Sequence, residues 1–119
     1  MVMPDALRRF KAEVFQALAH PTRIAIIDLL GEKELSAGEL MEKLGIEQAN
    51  ISQHLAVLRS RQLLVNRKVG NQVFYSVRDR LLLEVLALMR TYFQNHLTGS
   101  LALAREMSSE NKRMKATRS

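Results

Sequence analysis

Two short helical patterns joined by a tight turn restrict the fold of this chain more than any other feature of its sequence. Ser36 followed by Glu39 has the spacing of a capping box, which predicts a helix that ends at Gly45. The apolar pattern resumes almost at once and predicts a second helix over residues 48–60. Two helices joined this closely are typical of a helix-turn-helix, in which the second helix enters the major groove of DNA.

The rest of the chain predicts three more helices and a β-hairpin. Apolar residues at helical spacing predict helices at residues 5–18 and 21–30, and a long, broadly apolar pattern predicts another at residues 79–97. β-Forming runs at residues 63–69 and 72–77, on either side of a Gly-Asn pair, predict the hairpin. The predicted fold is therefore mainly α with a small β-hairpin wing, a winged helix-turn-helix with the element order α-α-α-α-β-β-α.

Composition limits the architecture and the environment of the protein. The 119 residues fit one domain, which we assign to residues 1–107 for DNA binding and dimerisation, and the polar, basic residues 108–119 are expected to form a disordered tail. The lack of cysteine excludes disulfides and thiolate metal sites. The apolar stretch at residues 81–89 is too short for a membrane span and we recognise no targeting segment, so a cytoplasmic location is expected.

Charge is distributed unevenly along the chain, whose formal net charge is +6. Residues 28–47 carry six acids and two bases, whereas residues 59–80 carry six bases and one acid. A region that repels phosphate therefore precedes one that attracts it. This asymmetry favours a surface that docks on double-stranded DNA in one orientation, and the alternative is that the charges are ordinary solvated surface groups. The side chains predicted to contact phosphates or to lie on the wing are Arg59, Arg61, Arg67, Lys68, Asn71 and Gln72.

The polar face of the helix at residues 48–60 is the predicted reading surface. Small alanines let a helix lie deep in the major groove, and Asn or Gln can pair with the edge of an adenine. The alternative is a solvated polar face that binds nothing. The residues predicted to read DNA are Gln48, Ala49, Asn50, Ser52, Gln53, His54 and Ala56.

The last predicted helix is apolar around more of its circumference than a helix with one neighbour requires. A dimer interface formed with the first helix explains this surplus, and a pocket for a hydrophobic ligand is the alternative. The residues predicted to lie in the interface are Leu7, Phe10, Val14, Leu82, Val85, Leu86, Met89 and Phe93.

Three segments of the sequence resemble the core of the arsenic-repressor (ArsR/SmtB-type) family of winged-helix transcription regulators. They read FQALAHPTRIAIIDLL at residues 15–30, LSAGELMEKLGIEQANISQHLAVLRSRQLL at residues 35–64, and RKVGNQVFYSV at residues 67–77. The resemblance implies a homodimeric repressor whose first and last helices pair across a two-fold axis and which binds an inverted-repeat operator. Control of its DNA binding would come from a small molecule, a partner protein or simple competition for the operator. Gln62 stands where many members have glycine before the first wing strand.

The family's well-known metal sites lack their ligands in this chain. Ser36 and Gly38 stand where the resemblance puts the cysteines of one site. Asp79 matches the other site, whose remaining positions hold Leu81, Tyr92 and Asn95. Transition metals of this class need about three or four donors, so neither a metal nor a cofactor is predicted. A site improvised from His96 and Glu106 stays open as an alternative.

The sequence offers no combination of nucleophile, base and orienting group, so an enzyme is not predicted. Two other functions stay open: a non-specific architectural DNA-binding protein that gains affinity from its basic tail, and a winged-helix module that binds protein. The ratio of specific to non-specific DNA affinity separates the first from an operator-binding repressor. Failure to bind any DNA at low salt would favour the second.

Overall fold

The computed structural model describes residues 2–97 and 105–111. Its helices are α1 (Val2–Leu18), α2 (Pro21–Leu30), α3 (Ala37–Leu44), α4 (Gln48–Ser60) and α5 (Leu81–His96). Its strands are β1 (Leu35–Ser36), which lies between α2 and α3, and β2 (Leu64–Val69) and β3 (Gln72–Val77), which follow α4. These elements confirm the predicted winged helix-turn-helix. The chain divides into two compact units, residues 1–83 and residues 84–119.

No helix in the described ranges is both long enough and apolar enough to cross a membrane.

Local hydrogen bonds define the ends of the helices that surround the turn. His20 caps α2, because its Nδ1 accepts a hydrogen bond from the amide of Thr22 at 3.1 Å. At the start of α3, the amide of Glu39 donates to the Ser36 hydroxyl and the amide of Ser36 donates to the Glu39 carboxylate, both at 3.1 Å. Gly45 ends α3 with φ +66°. The capping box and the glycine stop are therefore confirmed.

The core of the first unit lies between helices α2 to α4 and the first wing strand. Its largest fully buried side chains are all aliphatic, and they are Ile26, Ile27, Leu30, Leu40, Ile51, Leu58 and Leu64. Because α4 contributes two of these residues and also Leu55, which is 2% exposed, one side of α4 is held firmly against the core. The opposite side of the helix is consequently presented to solvent.

The sheet has three antiparallel strands in the order β1-β3-β2, one strand more than the sequence predicted. Strand β1 pairs Leu35 with Tyr75 and Ser36 with Phe74. A two-residue strand has no alternation that a sequence pattern can reveal, so only the pairing with β3 defines it. The pairing joins the base of the wing to the start of α3. In the hairpin itself, Gly70 has φ +60°, a conformation that favours glycine.

The C-terminal segment differs from its prediction. Residues 105–111 are helical, so residues 108–111 belong to a helix and not to a disordered tail. The remainder of the predicted tail, residues 112–119, lies outside the described residues.

Helix α4 ends in a Schellman motif that has Gln62 where glycine is usual. The amide of Leu63 donates to the carbonyl of Leu58 at 3.0 Å, and the amide of Gln62 donates to the carbonyl of Arg59 at 2.9 Å. Gln62 has φ +60°, the left-handed conformation, which costs a residue with a Cβ roughly 1–2 kcal/mol. Its side-chain oxygen accepts a hydrogen bond from Arg78 at 2.9 Å. The helix therefore ends with the backbone geometry of a glycine stop.

We expect Gln62→Gly to raise the free energy of unfolding by about 0.5–1 kcal/mol, because it relieves the left-handed strain and loses only an exposed hydrogen bond. Urea unfolding at a fixed protein concentration measures the change. Gln62→Ala is the matched control, since it removes the bond to Arg78 but keeps the strain, and it should be no more stable than the parent. A glycine variant less stable than the alanine variant would contradict this account.

Candidate nucleic-acid interface

The exposed side of α4 carries six of the seven predicted reading residues. Leu58 and Ile51 are fully buried on one side of the helix, and this burial fixes its rotation. The predicted reading residues that are exposed are Gln48, Ala49, Asn50, Ser52, Gln53 and Ala56. They form one surface of small and amide side chains, which we call the reading face. Its chemistry suits contact with base edges in a major groove.

His54, the seventh residue, lies at the edge of the reading face and is half-buried. Its ring packs against the ring of His20, with centroids 4.4 Å apart. Burial lowers the pKa of His54, and the nearby His20 and Arg23 lower it further. The imidazole of His54 is therefore biased toward its neutral form. Sequence periodicity could not associate His20 and Arg23 with the reading face. Both residues lie at the start of α2, about 30 residues before α4 in the chain.

Arg67 is held by the protein itself in the middle of the first wing strand, where it pairs with Phe74. Its guanidinium forms two hydrogen bonds with the carboxylate of Glu34, at 2.7 and 2.6 Å, and lies 5.6 Å from the centre of the Phe74 ring. The hydrogen bonds and the charge of each partner lower the pKa of Glu34 and raise that of Arg67. Arg67 therefore joins β2 to the segment before β1, a role that no local sequence pattern indicates.

The other predicted phosphate contacts differ in how they are paired. Arg61 lies 3.4 Å from the carboxylate of Glu13 on α1. Within the described ranges, neither Arg59 nor Lys68 has a carboxylate at ion-pair distance. Both side chains are exposed, Arg59 at the end of α4 and Lys68 on the wing. These two cations are consequently the best placed of the four to meet a phosphate.

The tip and the base of the wing have different surroundings. At the tip, Asn71 and Gln72 are exposed, as a contact with DNA requires. At the base, Arg78 donates to Gln62, and Arg80 lies 3.6 Å from the carboxylate of Glu32. The two basal arginines thus belong to the protein surface below the wing.

Two clefts border the reading face, one on each side. The first, of about 480 Å³, is lined by His20, Thr22, Arg23, Ile46, Asn50, Gln53, His54 and Val57. The second, of about 290 Å³, is lined by Ala37, Ser52, Leu55, Ala56, Arg59, Ser60 and Tyr75. Each cleft therefore combines residues of the reading face with a neighbouring element that carries polar groups.

Helix α1 and helix α5 each expose apolar side chains. On α1, the predicted interface residues Leu7 and Phe10 are exposed and Val14 is half-buried. On α5, the predicted residues Val85, Met89 and Phe93 are exposed, and Leu82 and Leu86 are half-buried. Further large exposed apolar residues are Phe15 on α1 and Leu81, Leu88 and Tyr92 on α5. Exposed apolar surface of this extent marks an interaction site.

Two residues at the family's metal-site positions, Ser36 and Asp79, are engaged in helix capping. The carboxylate of Asp79 accepts a hydrogen bond from the amide of Leu81 at 2.9 Å and so caps α5, and Ser36 caps α3. His96 Nδ1 lies 3.0 Å from the carbonyl of Tyr92. Among the described residues, no three or more His, Cys, Asp or Glu side chains form a group that could hold a metal ion.

Comparison with known proteins places these features in a family. A family model described as a helix-turn-helix domain matches residues 18–67. The HTH-type transcriptional regulator Rv0081 of Mycobacterium tuberculosis is 38% identical over 104 residues, which span 87% of this chain and 91% of that protein. The crystal structure of Rv0081 matches with a TM-score of 0.71 and 41% identity, covering 77% of this chain and 93% of that one.

Two further similarities carry family names. A transcriptional repressor SmtB homolog of Synechocystis is 37% identical over 68 residues, 57% of this chain and 52% of that protein. The homodimeric winged helix-turn-helix DNA-binding domain of a possible ArsR-family regulator from Mycobacterium bovis matches with a TM-score of 0.71 and 28% identity, covering 78% and 86% of the two chains. The chain therefore belongs to the ArsR/SmtB family of winged helix-turn-helix regulators, which are DNA-binding repressors of transcription and not a family of enzymes.

Proposed function

We propose that this protein is a homodimeric repressor that binds an inverted-repeat operator through α4 and the wing of each protomer. The observation that carries the proposal is the reading face, whose small and amide side chains lie opposite the stripe that fastens α4 to the core. An exposed helix face with alanines and amides can enter a major groove without steric conflict. In this proposal residues 1–107 contain both the DNA-binding and the dimerisation surfaces.

The exposed apolar side chains of α1 and α5 support dimerisation. A two-fold dimer reads two half-sites, so an operator with inverted repeats matches its symmetry. The winged-helix domain from Mycobacterium bovis is homodimeric, which supports the same assembly here. Control of DNA binding is assigned to an effector, either a small molecule or a partner protein, and not to a metal at the family's usual positions.

Different side chains serve different parts of the DNA. Asn50 and Gln53 are proposed to read base edges, whereas Arg59 and Lys68 are proposed to contact phosphates. Asn71 and Gln72 at the tip of the wing are proposed to reach the minor groove. The proposed DNA-binding surface also includes the reading residues Gln48, Ala49, Ser52, His54 and Ala56 and the ion-paired cations Arg61 and Arg67.

Selection of bound fragments from random DNA tests the function. We expect enrichment of an inverted repeat, with a specific affinity at least about 1,000-fold above that for random DNA at the same salt concentration. A ratio near one would favour an architectural DNA-binding protein. Failure to bind DNA at low salt would favour a protein-interaction module.

We expect Gln53→Ala to reduce the preference for the operator by roughly 1–3 kcal/mol, because the variant loses a base contact and keeps the phosphate contacts. Lys68→Ala is the matched comparison, since it should weaken operator and random DNA alike and lower the salt slope by about one. Fluorescence anisotropy with both DNAs over a salt series measures the two effects. Equal weakening of both DNAs by Gln53→Ala would remove Gln53 from base reading.

A further inference from the structure

The larger of the two clefts beside the reading face brings the start of α2 against α4. His20 immediately precedes α2, and Arg23 lies in the first turn of that helix. Asn50, Gln53 and His54 lie on α4. None of the eight side chains that line the cleft is a carboxylate. The cleft of about 480 Å³ therefore contains cationic and neutral polar groups without an acid to balance them.

Two polar atoms in this region are buried without a hydrogen-bond partner among the described residues, and they are Arg23 Nε and His54 Nδ1. Buried polar atoms in folded proteins nearly always have a hydrogen-bond partner, so these two atoms indicate that a partner is supplied from outside the chain. A guanidinium N–H is a permanent donor, and its best partner is an oxyanion. The Nδ1 of His20 already accepts from Thr22, which leaves its Nε2 to act as a donor.

The position of the cleft beside the reading face favours a phosphate of the DNA backbone as its anion. At about 100° per residue, Asn50, His54 and Val57 lie along one side of the reading face, and Ser52 and Arg59 lie along the other. A major groove is bordered by two phosphate backbones, so a helix lying in it has one backbone against each side. Arg59 lies toward one side of the helix, and the cleft with Arg23 lies toward the other.

We propose that the cleft formed by His20, Arg23 and His54 binds one phosphodiester of the DNA strand that borders the reading face. The proposal rests on the proposed function and extends the DNA contact from α4 and the wing to the start of α2. Arg23 supplies the permanent charge, and the imidazoles of His20 and His54 supply further N–H donors. The ten-residue helix α2 starts at this point, so its dipole adds to the attraction for an anion.

A bound phosphate changes the protonation of the cleft. In the free protein, burial lowers the pKa of His54, and His20 and Arg23 lower it further, whereas Asn50 and Gln53 on its own helix and Ile46 before that helix are uncharged. A phosphate favours the imidazolium and raises this pKa, so the complex takes up a proton. DNA affinity is then expected to rise as the pH falls through the raised pKa of His54 in the complex toward its lower pKa in the free protein, by at most about tenfold per pH unit for each proton taken up.

Arg23→Gln in the full-length chain tests the charge. We expect a fall of about one in the slope of log affinity against log salt, with equal weakening of operator and random DNA. Arg8→Gln is the matched control, because Arg8 is an exposed cation on α1 that pairs with Asp5 at 3.6 Å, and it should leave the slope unchanged. His54→Gln should flatten the pH dependence of the wild-type protein. An unchanged salt slope in Arg23→Gln together with an unchanged pH dependence in His54→Gln would overturn the proposal.

A second measurement covers the case in which Arg23→Gln fails to fold. The wild-type protein is titrated with operators in which single phosphates are replaced by neutral methylphosphonates. One position in each half-site is expected to lower affinity and to abolish the pH dependence. If no position does so, the cleft does not bind DNA.

Inorganic phosphate distinguishes a small-anion site from a DNA contact. Binding to the free protein is followed through the imidazole NMR signals of His20 and His54. Perturbation of these signals by inorganic phosphate, combined with an unchanged salt slope in Arg23→Gln, would assign the cleft to a free anion and overturn the proposal. Failure of the wild-type protein to bind any DNA would refute the proposed function before any variant is compared.

Discussion

Phe93→Glu is expected to convert the protein to monomers and to lower operator affinity by at least about 100-fold. Phe93 is 47% exposed on α5, so the substitution leaves the buried core of the chain intact. In a dimer interface, however, it would bury an unpaired carboxylate in each protomer, which costs several kcal/mol. A monomer contacts one half-site instead of two, so it loses the affinity that a dimer gains by binding both half-sites at once.

Sedimentation equilibrium measures the assembly state, and anisotropy titration measures the affinity. Gln94→Glu is the matched control, because it introduces the same charge at an exposed position on the polar side of α5. It should remain dimeric and bind the operator as the parent does. A dimeric Phe93→Glu variant with unchanged operator affinity would show that α5 does not form the interface.

Ala56→Glu is expected to reduce binding to operator and random DNA by roughly 100-fold or more, while the protein stays folded and keeps its assembly state. Ala56 is exposed on the reading face, so a longer side chain does not disturb the core. A carboxylate at this position would be brought into a groove between two phosphate backbones, and like charges at an interface cost several kcal/mol.

Thermal unfolding and sedimentation should show no change in Ala56→Glu, which distinguishes its effect from that of Phe93→Glu. Ala12→Glu, at an exposed alanine on α1, is the control for added charge and helix propensity. It should weaken DNA binding only slightly. If Ala12→Glu and Ala56→Glu weakened binding equally, the loss would come from net charge and not from the reading face.

Helix ends were predictable where a few neighbouring residues determine them. The capping box of Ser36 and Glu39 and the stop at Gly45 are hydrogen bonds and dihedral angles within one or two turns, so their residue types reveal them. The start of α5 is similar, although Asp79 proved to be its cap and the helix begins two residues later than predicted. The strand β1 has no such local signal, because its partner Tyr75 lies far along the chain.

The sequence by itself determined which side of α4 faces solvent, because the spacing of Ile51, Leu55 and Leu58 gathers every apolar anchor on one side of a helix. The resemblance carried by the quoted segments also identified the family correctly. Only the tertiary structure decided how the charged groups are used. Arg67, which the sequence predicts as a phosphate contact, is bound by Glu34, 33 residues earlier in the chain. The contact between His54 on α4 and His20, the residue before α2, was likewise not predictable from the sequence. Periodicity reports a residue's orientation on its own helix but not the groups that folding brings to it.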